Sequence, residues 1–584
     1  MRTNRDISKP YRENIVLHLL IAVLVGTITG ILAVGFRYLL LYTTSLVWHD
    51  PFDIIGAVGK MSWYMVVLIP VIGGFIVGPL VTFFAPETWG AGVPRVIEAI
   101  ADGQGIIRHR TTFYKIICTV ISIGSGASVG REGPIVHIGS SVGSSIAQFI
   151  RLPAEWRRVF LACGAASGIA ATFNAPMAGM LFAVEIILVD FEISYLSHIA
   201  ISAVTATVIS HHFFGNLPAF DVPHYEMISY WEILLYCLLG ILAGFVSIAF
   251  IKGISYTEKV FDRFHIPAYL CPAVGGLLVG LIALNCPHVL GVGYQSINLV
   301  LTAKTAINTM IIVIIFKLLA TSISVGAGFS GGIFAPSLVL GAMLGGVFGS
   351  LANNLFPEMT AAFPAYGLVG MAAVVSGATL APITAIFTIF ELTYNFEIIL
   401  PLMISCIASL VIVQRFHGYS IYETTLLKRG VKIVRGHDVN ILRSLQVVGN
   451  MEREYESIRD NTPLHSLIIK AQESLYPHFL VFNSKNELAG MLSMRDLKNC
   501  LADIDELGEI VIASDIMSTK IHCLTPQDNL ETAFEVFEGK QISTLPVVDP
   551  LNRKKVLGIL KKNNLINAYN KNILKAKTLQ NHVK

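Results

Sequence analysis

Apolar residues dominate the chain up to about residue 426, where they form blocks of unequal length. Four blocks approach the length of a bilayer-spanning helix; they cover residues 63–84, 233–251, 269–284 and 310–323. Elsewhere Gly and Pro divide the apolar sequence into pieces of roughly a dozen residues, whereas crossing the hydrocarbon core takes about 20. We therefore predict broken or re-entrant helices. Such segments persist at membrane depth only where protein or a water-filled cavity satisfies their backbone groups, which points to a pathway through the membrane.

Beyond residue 426 short β-branched runs alternate with helical segments such as residues 530–537. Of the 42 basic and 39 acidic residues in the chain, 22 and 18 lie after residue 425, so the tail is much more highly charged. We predict a membrane domain over residues 1–426, a linker over 427–449 and two α/β units over 450–508 and 509–584. With 54% hydrophobic and 14% charged residues the chain is too apolar for an ordinary soluble protein. A net charge of +3 does not favour a nucleic-acid partner.

The N-terminus carries Arg2, Arg5, Lys9 and Arg12 ahead of the apolar run that starts near Ile15. Because that run lacks an A-x-A-like cleavage site, we interpret it as a retained first helix. Basic residues beside the first span favour a cytoplasmic N-terminus, and a long charged tail with eight unpatterned cysteines in the chain suits the same reducing side. We expect both termini in the cytoplasm and, since no N-x-S/T sequon with a usable middle residue is present, a prokaryotic plasma membrane.

An internal duplication runs through the apolar part. Residues 124–134 (GSGASVGREGP) and 326–336 (GAGFSGGIFAP) match at the first, third, fifth, seventh and last positions, at an offset of 202. A second pair, residues 164–185 and 370–391, runs at an offset of 206, and in each copy a Glu follows Ala-Pro by nine residues. Gly/Pro-interrupted segments at corresponding positions of two halves indicate the binding site of a transporter.

Each copy of the first segment ends in Gly-x-x-x-Pro, a flexible stretch followed by a residue suited to the first turn of a helix. The unpaired N–H groups and the positive dipole end of such a helix start favour an anion without a full positive charge. Two helix starts that converge from the two halves would form a weak, dehydrating anion site, which permeation requires. A cation pathway would need carboxylate rings or carbonyl ends instead.

Four segments stand in the order and approximate spacing of the signature segments of the CLC chloride channel and transporter family. They are Gly90-Ala-Gly-Val-Pro94, Gly130-Arg-Glu-Gly-Pro134, Gly332-Ile-Phe-Ala-Pro336 and Ser420-Ile-Tyr422. The resemblance implies a mainly α, multi-helix integral membrane fold with two inverted repeats. It also implies a homodimer in the lipid membrane that moves chloride or another small inorganic anion through one pore in each subunit.

The same resemblance identifies Glu132 as the gating glutamate, whose carboxylate competes with the anion. The backbone amides of Ile333 and Phe334 and the hydroxyl of Tyr422 would bind the central anion, together with the loop at Ala91 and Gly92. Ala91 replaces a serine of the family pattern, so weaker binding or an altered halide preference is expected. An ionisable residue at such a helix start inside a membrane is functional by default, which supports Glu132 independently.

The mode of transport is left open between two alternatives. In the proton-coupled exchangers of the family a second glutamate commonly stands one residue after the position of Glu185, where this chain has Ile186. An aliphatic residue there resembles the channels, and we therefore expect a channel-like protein; the alternative is a proton-coupled chloride antiporter. We interpret Glu185 and Glu391 as structural. No nucleophile with an adjacent base and no metal-ligand spacing stands out in the sequence, so we predict neither an enzyme nor a metal site.

The tail contains a repeat of its own, since residues 479–497 parallel residues 545–565 with a Gly-to-Gly offset of 68. It resembles a tandem pair of CBS domains, an α/β module that can bind adenine nucleotides. The resemblance places nucleotide contacts at Ser493 and Asp496 in the first copy, whereas Lys561 and Asn564 replace them in the second. A nucleotide-binding tail and a purely structural tail are therefore alternatives, as is, more remotely, a nucleotide sensor with a vestigial pore.

Overall fold

The structure is a computed structural model. It describes residues 15–101, 104–189, 193–216, 220, 228–264, 266–431, 442, 445–474, 476, 478–499, 510–540 and 542–568. The chain divides into two compact units, Met1–Ile433 and Val434–Lys584. The predicted linker over residues 427–449 spans this division.

The first unit is helical. Its described α-helices are α1 Ile15–Trp48, α2 Ile54–Lys60, α3 Trp63–Pro79, α4 Gly92–Ala101, α5 His109–Gly124, α6 Glu132–Phe149, α7 Ala154–Phe173, α8 Pro176–Phe182, α9 Ile193–Phe214, α10 Glu232–Arg263, α11 Cys271–Asn285, α12 Tyr294–Leu301, α13 Ile307–Gly326, α14 Phe334–Leu355, α15 Phe363–Thr379, α16 Pro382–Thr393, α17 Ile399–Phe416 and α18 Ile421–Lys428. Helices α3 and α8 continue into π-helical turns over Leu80–Phe84 and Ala183–Leu188.

Long and short helices are mixed, as the interrupted sequence predicts. Within the described residues six segments are long and apolar enough to cross a membrane: Ile15–Trp48, Trp63–Phe84, Glu232–Arg263, Ile307–Gly326, Phe334–Leu355 and Ile399–Lys428. The predicted block 269–284 forms α11, whose 15 residues fall short of that length. Helices α4, α8, α12 and α18 have only 7 to 10 residues, too few to span the hydrocarbon core.

The two halves use the same close helix packing. A Cβ built on Gly139 of α6 would collide with the carbonyl oxygen of Gly164 in α7, and one built on Gly341 of α14 would collide with that of Gly370 in α15. Small residues at these crossings let the helix backbones approach closely, as is common in membrane bundles. The duplicated glycines therefore build one helix pair in each half.

The halves also exchange helix caps. Glu391, in α16, accepts hydrogen bonds from the second and third amides of α8, at 3.0 and 2.7 Å. Glu185 accepts the equivalent pair from α16, at 3.2 and 2.7 Å. Each carboxylate thus satisfies orphan amides at the start of the other half's helix. This arrangement agrees with the structural role predicted for both residues.

The second unit contains two small sheets. The first has strand order β1 Ser457–Arg459, β2 His478–Phe482 and β3 Leu488–Ser493; the second pairs β4 Thr544–Val548 with β5 Val556–Lys561. Both hairpins are antiparallel and carry a bulge at the same place, between Val481 and Phe482 and between Val547 and Val548. The described helices are α19 Leu464–Glu473, α20 Met494–Asn499, α21 Ala513–Ile516 and α22 Leu530–Lys540. The repeat seen in the tail sequence is thus present in its backbone.

Each of the two tail cores includes a segment from the far side of its predicted boundary. Leu442 and Val447 pack in the core that holds Leu530 and Val547, and Glu452 forms an antiparallel bridge with Ile559. In the other direction Ala513 packs with Phe479 and Leu492 in the first core. The second core therefore draws on the predicted linker and on the start of the predicted unit 450–508, and the first core draws on the start of the predicted unit 509–584.

Candidate functional site

The two Gly-rich loops of the duplicated segments bind each other. The amide of Gly130 donates to the carbonyl of Gly332 at 2.7 Å, and the amide of Gly332 donates to the carbonyl of Gly130 at 2.6 Å. This antiparallel bridge brings together the starts of α6 and α14. A Cβ built on Gly133 would lie 3.0 Å from the Cα of Gly332 and 3.6 Å from the amide nitrogen of Gly92. The starts of α4, α6 and α14 therefore converge at one place.

Proline occupies the third position of all three converging helices, at Pro94, Pro134 and Pro336. A proline in the first turn removes an N–H that has no partner within the helix. The amides that remain in each first turn are available to an anion, and the dipoles of the three helices add to its stabilisation. The sequence signal of Gly-x-x-x-Pro thus corresponds to the local geometry.

Glu132 places its carboxylate at this convergence. The side chain is buried, with 1% of its surface exposed. Its Oε1 accepts a hydrogen bond from the hydroxyl of Tyr294 at 2.6 Å, and its Oε2 accepts a longer one from the amide of Ala335 at 3.3 Å. Ala335 is the second residue of α14. The carboxylate therefore lies where the start of α14 offers an anion site.

The other predicted anion contacts lie around the same point. Ile333 is the N-terminal capping residue of α14 and Phe334 its first residue, and both are 3% exposed. The amide that reaches the carboxylate of Glu132 belongs to Ala335, one residue further along the chain. Tyr422, at the second position of α18, is 3% exposed and close enough to Glu132 for an electrostatic interaction.

The first turn of α18 is fixed by a capping box. Ser420 accepts a hydrogen bond from the amide of Glu423 at 3.1 Å, and the Glu423 carboxylate accepts one from the amide of Ser420 at 2.7 Å. This reciprocal capping satisfies two otherwise unpaired donors. Tyr422 lies between the two capping residues, so its position is determined by the helix start.

The loop at Ala91 and Gly92 leads into α4 beside α6. Ala91 is partly buried, and a Cβ on Gly92 would lie 2.6 Å from the carbonyl oxygen of Gly133. Lys115 holds this loop, because its fully buried ammonium donates hydrogen bonds to the carbonyls of Thr88 and Gly90 at 3.0 and 2.8 Å. Position 92 therefore admits only glycine, because a Cβ there would collide with the start of α6.

A second buried lysine does the same in the other half. Lys317 donates to the carbonyls of Val289 and Gly291, both at 3.0 Å, in the loop that leads into α12. Among the described residues neither Lys115 nor Lys317 forms an ion pair with a carboxylate. The two lysines thus hold the loops that lead into α4 and α12 through backbone carbonyls.

Sequence reasoning missed Ala335, Tyr294 and the two lysines. A signal for the lysines was present, because Lys115 and Lys317 are 202 residues apart, the offset of the duplicated segments. The same holds for the loop before Tyr294, since Gly291 and Gly293 follow Gly90 and Gly92 at an offset of 201. The two lysines stand in apolar sequence, where a charged residue is costly, so their repetition at this offset is informative.

Ile186 is the residue that the family resemblance aligns with the second glutamate of the exchangers. It belongs to the π-helical turn after α8 and is 5% exposed. The neighbouring Glu185 is committed to capping α16. The described residues also contain no group of three or more His, Cys, Asp and Glu side chains arranged to hold a metal ion.

In the tail, the predicted nucleotide contacts of the first copy bind each other. Asp496 Oδ2 accepts hydrogen bonds from the hydroxyl and the amide of Ser493, at 2.6 and 2.9 Å. In the second copy Lys561 forms an ion pair with Glu452 at 2.7 Å, and Asn564 donates to the same carboxylate at 3.0 Å. The hydrogen bond from Lys561 lowers the pKa of Glu452. The candidate nucleotide-binding side chains of both copies thus already form hydrogen bonds or ion pairs within the tail.

Comparisons with known proteins agree with this fold. The family model described as voltage gated chloride channel matches residues 73–414, and the CBS domain model matches residues 513–571. The chain is 30% identical to chloride channel protein CLC-f of Arabidopsis thaliana over 85% of this chain and 73% of that protein. It is 31% identical to the H(+)/Cl(-) exchange transporter ClcA of Citrobacter koseri over 70% of this chain and 88% of that protein.

A solved structure is similar over most of the chain. It is described as a slow cyanobacterial Cl-/H+ antiporter, is 27% identical, covers 71% of this chain and 98% of its own, and gives a TM-score of 0.64. The first family model alone spans more than half of the 584 residues. This chain therefore belongs to the CLC family of voltage-gated chloride channels and transporters, and it carries a C-terminal CBS domain.

Proposed function

We propose that the chain moves chloride, or a similar small anion, through a pathway gated by Glu132 in each subunit of a homodimer. The observation that carries the proposal is the position of the Glu132 carboxylate at the convergence of three helix starts, bonded to the amide of Ala335. A carboxylate held there occupies the place that the helix starts offer to a permeating anion. Anion passage then requires the side chain to leave.

Protonation supplies a way for the side chain to leave. A neutral carboxyl group is held less strongly by helix dipoles and backbone amides than a carboxylate, because only the charged form benefits from them. The central anion would then be bound by the amides of Ile333 and Phe334, the hydroxyl of Tyr422 and the loop at Ala91 and Gly92. Because Ala91 offers no hydroxyl, this site would hold chloride weakly.

Passive, channel-like transport is the mode that Ile186 favours. A buried aliphatic side chain cannot carry a proton, and Glu185 is occupied in capping α16. The alternative is an antiporter that exchanges chloride for protons, and the names of the Citrobacter relative and of the cyanobacterial structure favour it. In that case water would have to carry the proton to Glu132.

One experiment separates the two modes. Purified protein in liposomes is given an outward chloride gradient, and the pH of the lumen and the chloride outside are recorded together. Channel-like transport predicts chloride efflux without stoichiometric proton movement. Uphill proton uptake that is driven by chloride efflux and lost in Glu132→Gln would establish the antiporter.

We also propose that both termini lie in the cytoplasm, which the basic N-terminus and the charged tail favour, and that the membrane is a prokaryotic plasma membrane. We propose that the tail acts mainly in folding or subunit association, because its candidate nucleotide contacts are already bonded to each other or to Glu452. Proteolysis from the outside of intact cells should leave both termini uncut, which tests the orientation.

A further inference from the structure

Tyr294 contacts the gating carboxylate from the half of the chain that does not contain it. Its hydroxyl lies 2.6 Å from Oε1 of Glu132, the shorter of the two hydrogen bonds described for that carboxylate. Tyr294 is the first residue of α12 and follows Gly293, which caps the helix with φ +93. A positive φ of this kind favours glycine, and it turns the chain so that α12 begins beside Glu132.

The loop before Tyr294 is the second-half counterpart of the loop before α4. Gly291 and Gly293 correspond to Gly90 and Gly92 at an offset of 201. Lys317 holds this loop through the carbonyl of Gly291 at 3.0 Å. In the first half the anchored loop brings a helix start against α6, whereas in the second half it brings a phenol to the carboxylate.

The tyrosine ring is held in place by its neighbours. The guanidinium of Arg131 lies over the ring, with its central carbon 5.0 Å from the centroid. Phe220 contacts the ring edge to face, at a centroid distance of 5.7 Å. A ring held between a cation and an aromatic side chain has little freedom, so the hydroxyl is directed at Glu132 before the anion arrives.

Other charged or titratable side chains lie near the carboxylate and the tyrosine. Arg37, on α1, interacts electrostatically with both Arg131 and Tyr294, and Tyr422, on α18, does so with Glu132. The ammonium of Lys317 lies behind the loop, 3.2 Å from a Cβ built on Gly293. Removing the tyrosine hydroxyl ends its hydrogen bonds with Glu132 and Arg131 but keeps each of these charged side chains in the sequence.

We propose that Tyr294 is a positioning residue for transport, whose hydroxyl holds the charged form of Glu132 in the anion path and so sets the pH at which flux begins. The inference rests on the proposed gating role of Glu132. A hydrogen bond from a neutral donor stabilises the carboxylate against both protonation and displacement by an anion. Without that hydroxyl the carboxylate leaves the path more readily.

Tyr294→Phe is the direct test, because it removes one oxygen atom and keeps the ring. Chloride efflux from liposomes, measured from acidic to neutral pH, should rise at neutral pH. The midpoint of the pH dependence should move upward by about one to two pH units, the equivalent of one hydrogen bond to a charged group. Half-saturating chloride should also fall, since the competing carboxylate is held less firmly.

The double variant Tyr294→Phe/Glu132→Gln separates this role from a structural one. It should behave like Glu132→Gln alone, because the hydroxyl then has no carboxylate to hold. Tyr256→Phe, at a tyrosine that is 70% exposed, is the matched control and should leave the pH profile unchanged. Tyr294→His keeps a ring and a hydrogen-bond donor and should fall between wild type and Tyr294→Phe.

Three results would overturn the proposal. They are an unchanged midpoint in Tyr294→Phe, an equal effect of that change with and without Glu132, and a failure of Tyr294→Phe to fold, which would assign the hydroxyl a structural role. The proposed function fails separately, if Glu132→Gln alone keeps the wild-type pH dependence.

Discussion

Lys115 and Lys317 occupy equivalent positions in the two duplicated halves of the first, helical unit. Each fully buried ammonium donates to two carbonyl oxygens that lie two residues apart, Thr88 and Gly90 in one half and Val289 and Gly291 in the other. Through these loops the lysines determine where α4 and α12 begin. The pair therefore links the duplication of the sequence to the two loops beside the Glu132 carboxylate.

Lys317→Met should lower the thermal unfolding midpoint of the detergent-solubilised protein. Methionine fills similar space but leaves the carbonyls of Val289 and Gly291 without a donor, at a cost of about 1 to 3 kcal/mol for each buried group. Lys115→Met should act equally on stability. Lys60→Met, at an exposed lysine at the end of α2, is the control and should change little. A midpoint unaffected by both buried changes would contradict the anchoring role.

Glu132→Gln should give high chloride flux with little dependence on pH. Wild-type flux should instead rise as pH falls, because protonation removes the charge that the helix starts hold. The measurement is chloride efflux from liposomes over a pH series. Glu397→Gln, at an exposed glutamate in the same unit, should keep the wild-type profile. Retained pH dependence in Glu132→Gln would exclude Glu132 as the gate.

Ala91→Ser should tighten chloride binding. The added hydroxyl can donate to the anion beside the start of α4, and one hydrogen bond to a charged group corresponds to about a tenfold or greater change in affinity. Isothermal titration of the purified protein with chloride measures this change. Ala99→Ser, further along α4, serves as the control. If serine at position 91 leaves affinity unchanged, the loop does not contact the anion.

The stability of the second tail core should decrease as pH falls below about 4.5. The ordinary pKa of a glutamate is 4.5, and the hydrogen bond with Lys561 lowers the pKa of Glu452 below this value in the folded state. A lowered carboxylate pKa stabilises the fold above the unfolded value, and this contribution is lost as pH falls through the folded value. Hydrogen exchange of the peptide over residues 556–561 should report the loss, and Glu452→Gln should remove it. Glu487→Gln, at the more exposed pair of Glu487 with Lys554, provides the control.

Millimolar ATP should leave the thermal unfolding of the full-length protein unchanged. Ser493 and Asp496 are bonded to each other, and Lys561 is paired with Glu452, so a nucleotide would have to replace existing contacts. Ligand that binds only the folded state raises its stability. An ATP-dependent shift that disappears in Asp496→Asn would instead establish a nucleotide site in the first copy.

Several features could be predicted from the sequence because their causes are local. The Gly-x-x-x-Pro segments define helix starts through backbone freedom and a missing N–H. Glu132 stands out because it is an ionisable residue at such a start within an apolar run. The duplication, the short helices and the repeat in the tail are visible as spacings along the chain.

Only the tertiary structure shows which of these local features meet. The hydrogen bonds from Tyr294 and Ala335 to Glu132, the caps that Glu185 and Glu391 provide, and the bridge between Glu452 and Ile559 all join residues more than 100 positions apart. Sequence spacing does not encode such contacts, because they depend on how separate helices pack. The sequence determined where the helices begin and where an ionisable residue stands among them, and packing decided which side chains surround the Glu132 carboxylate.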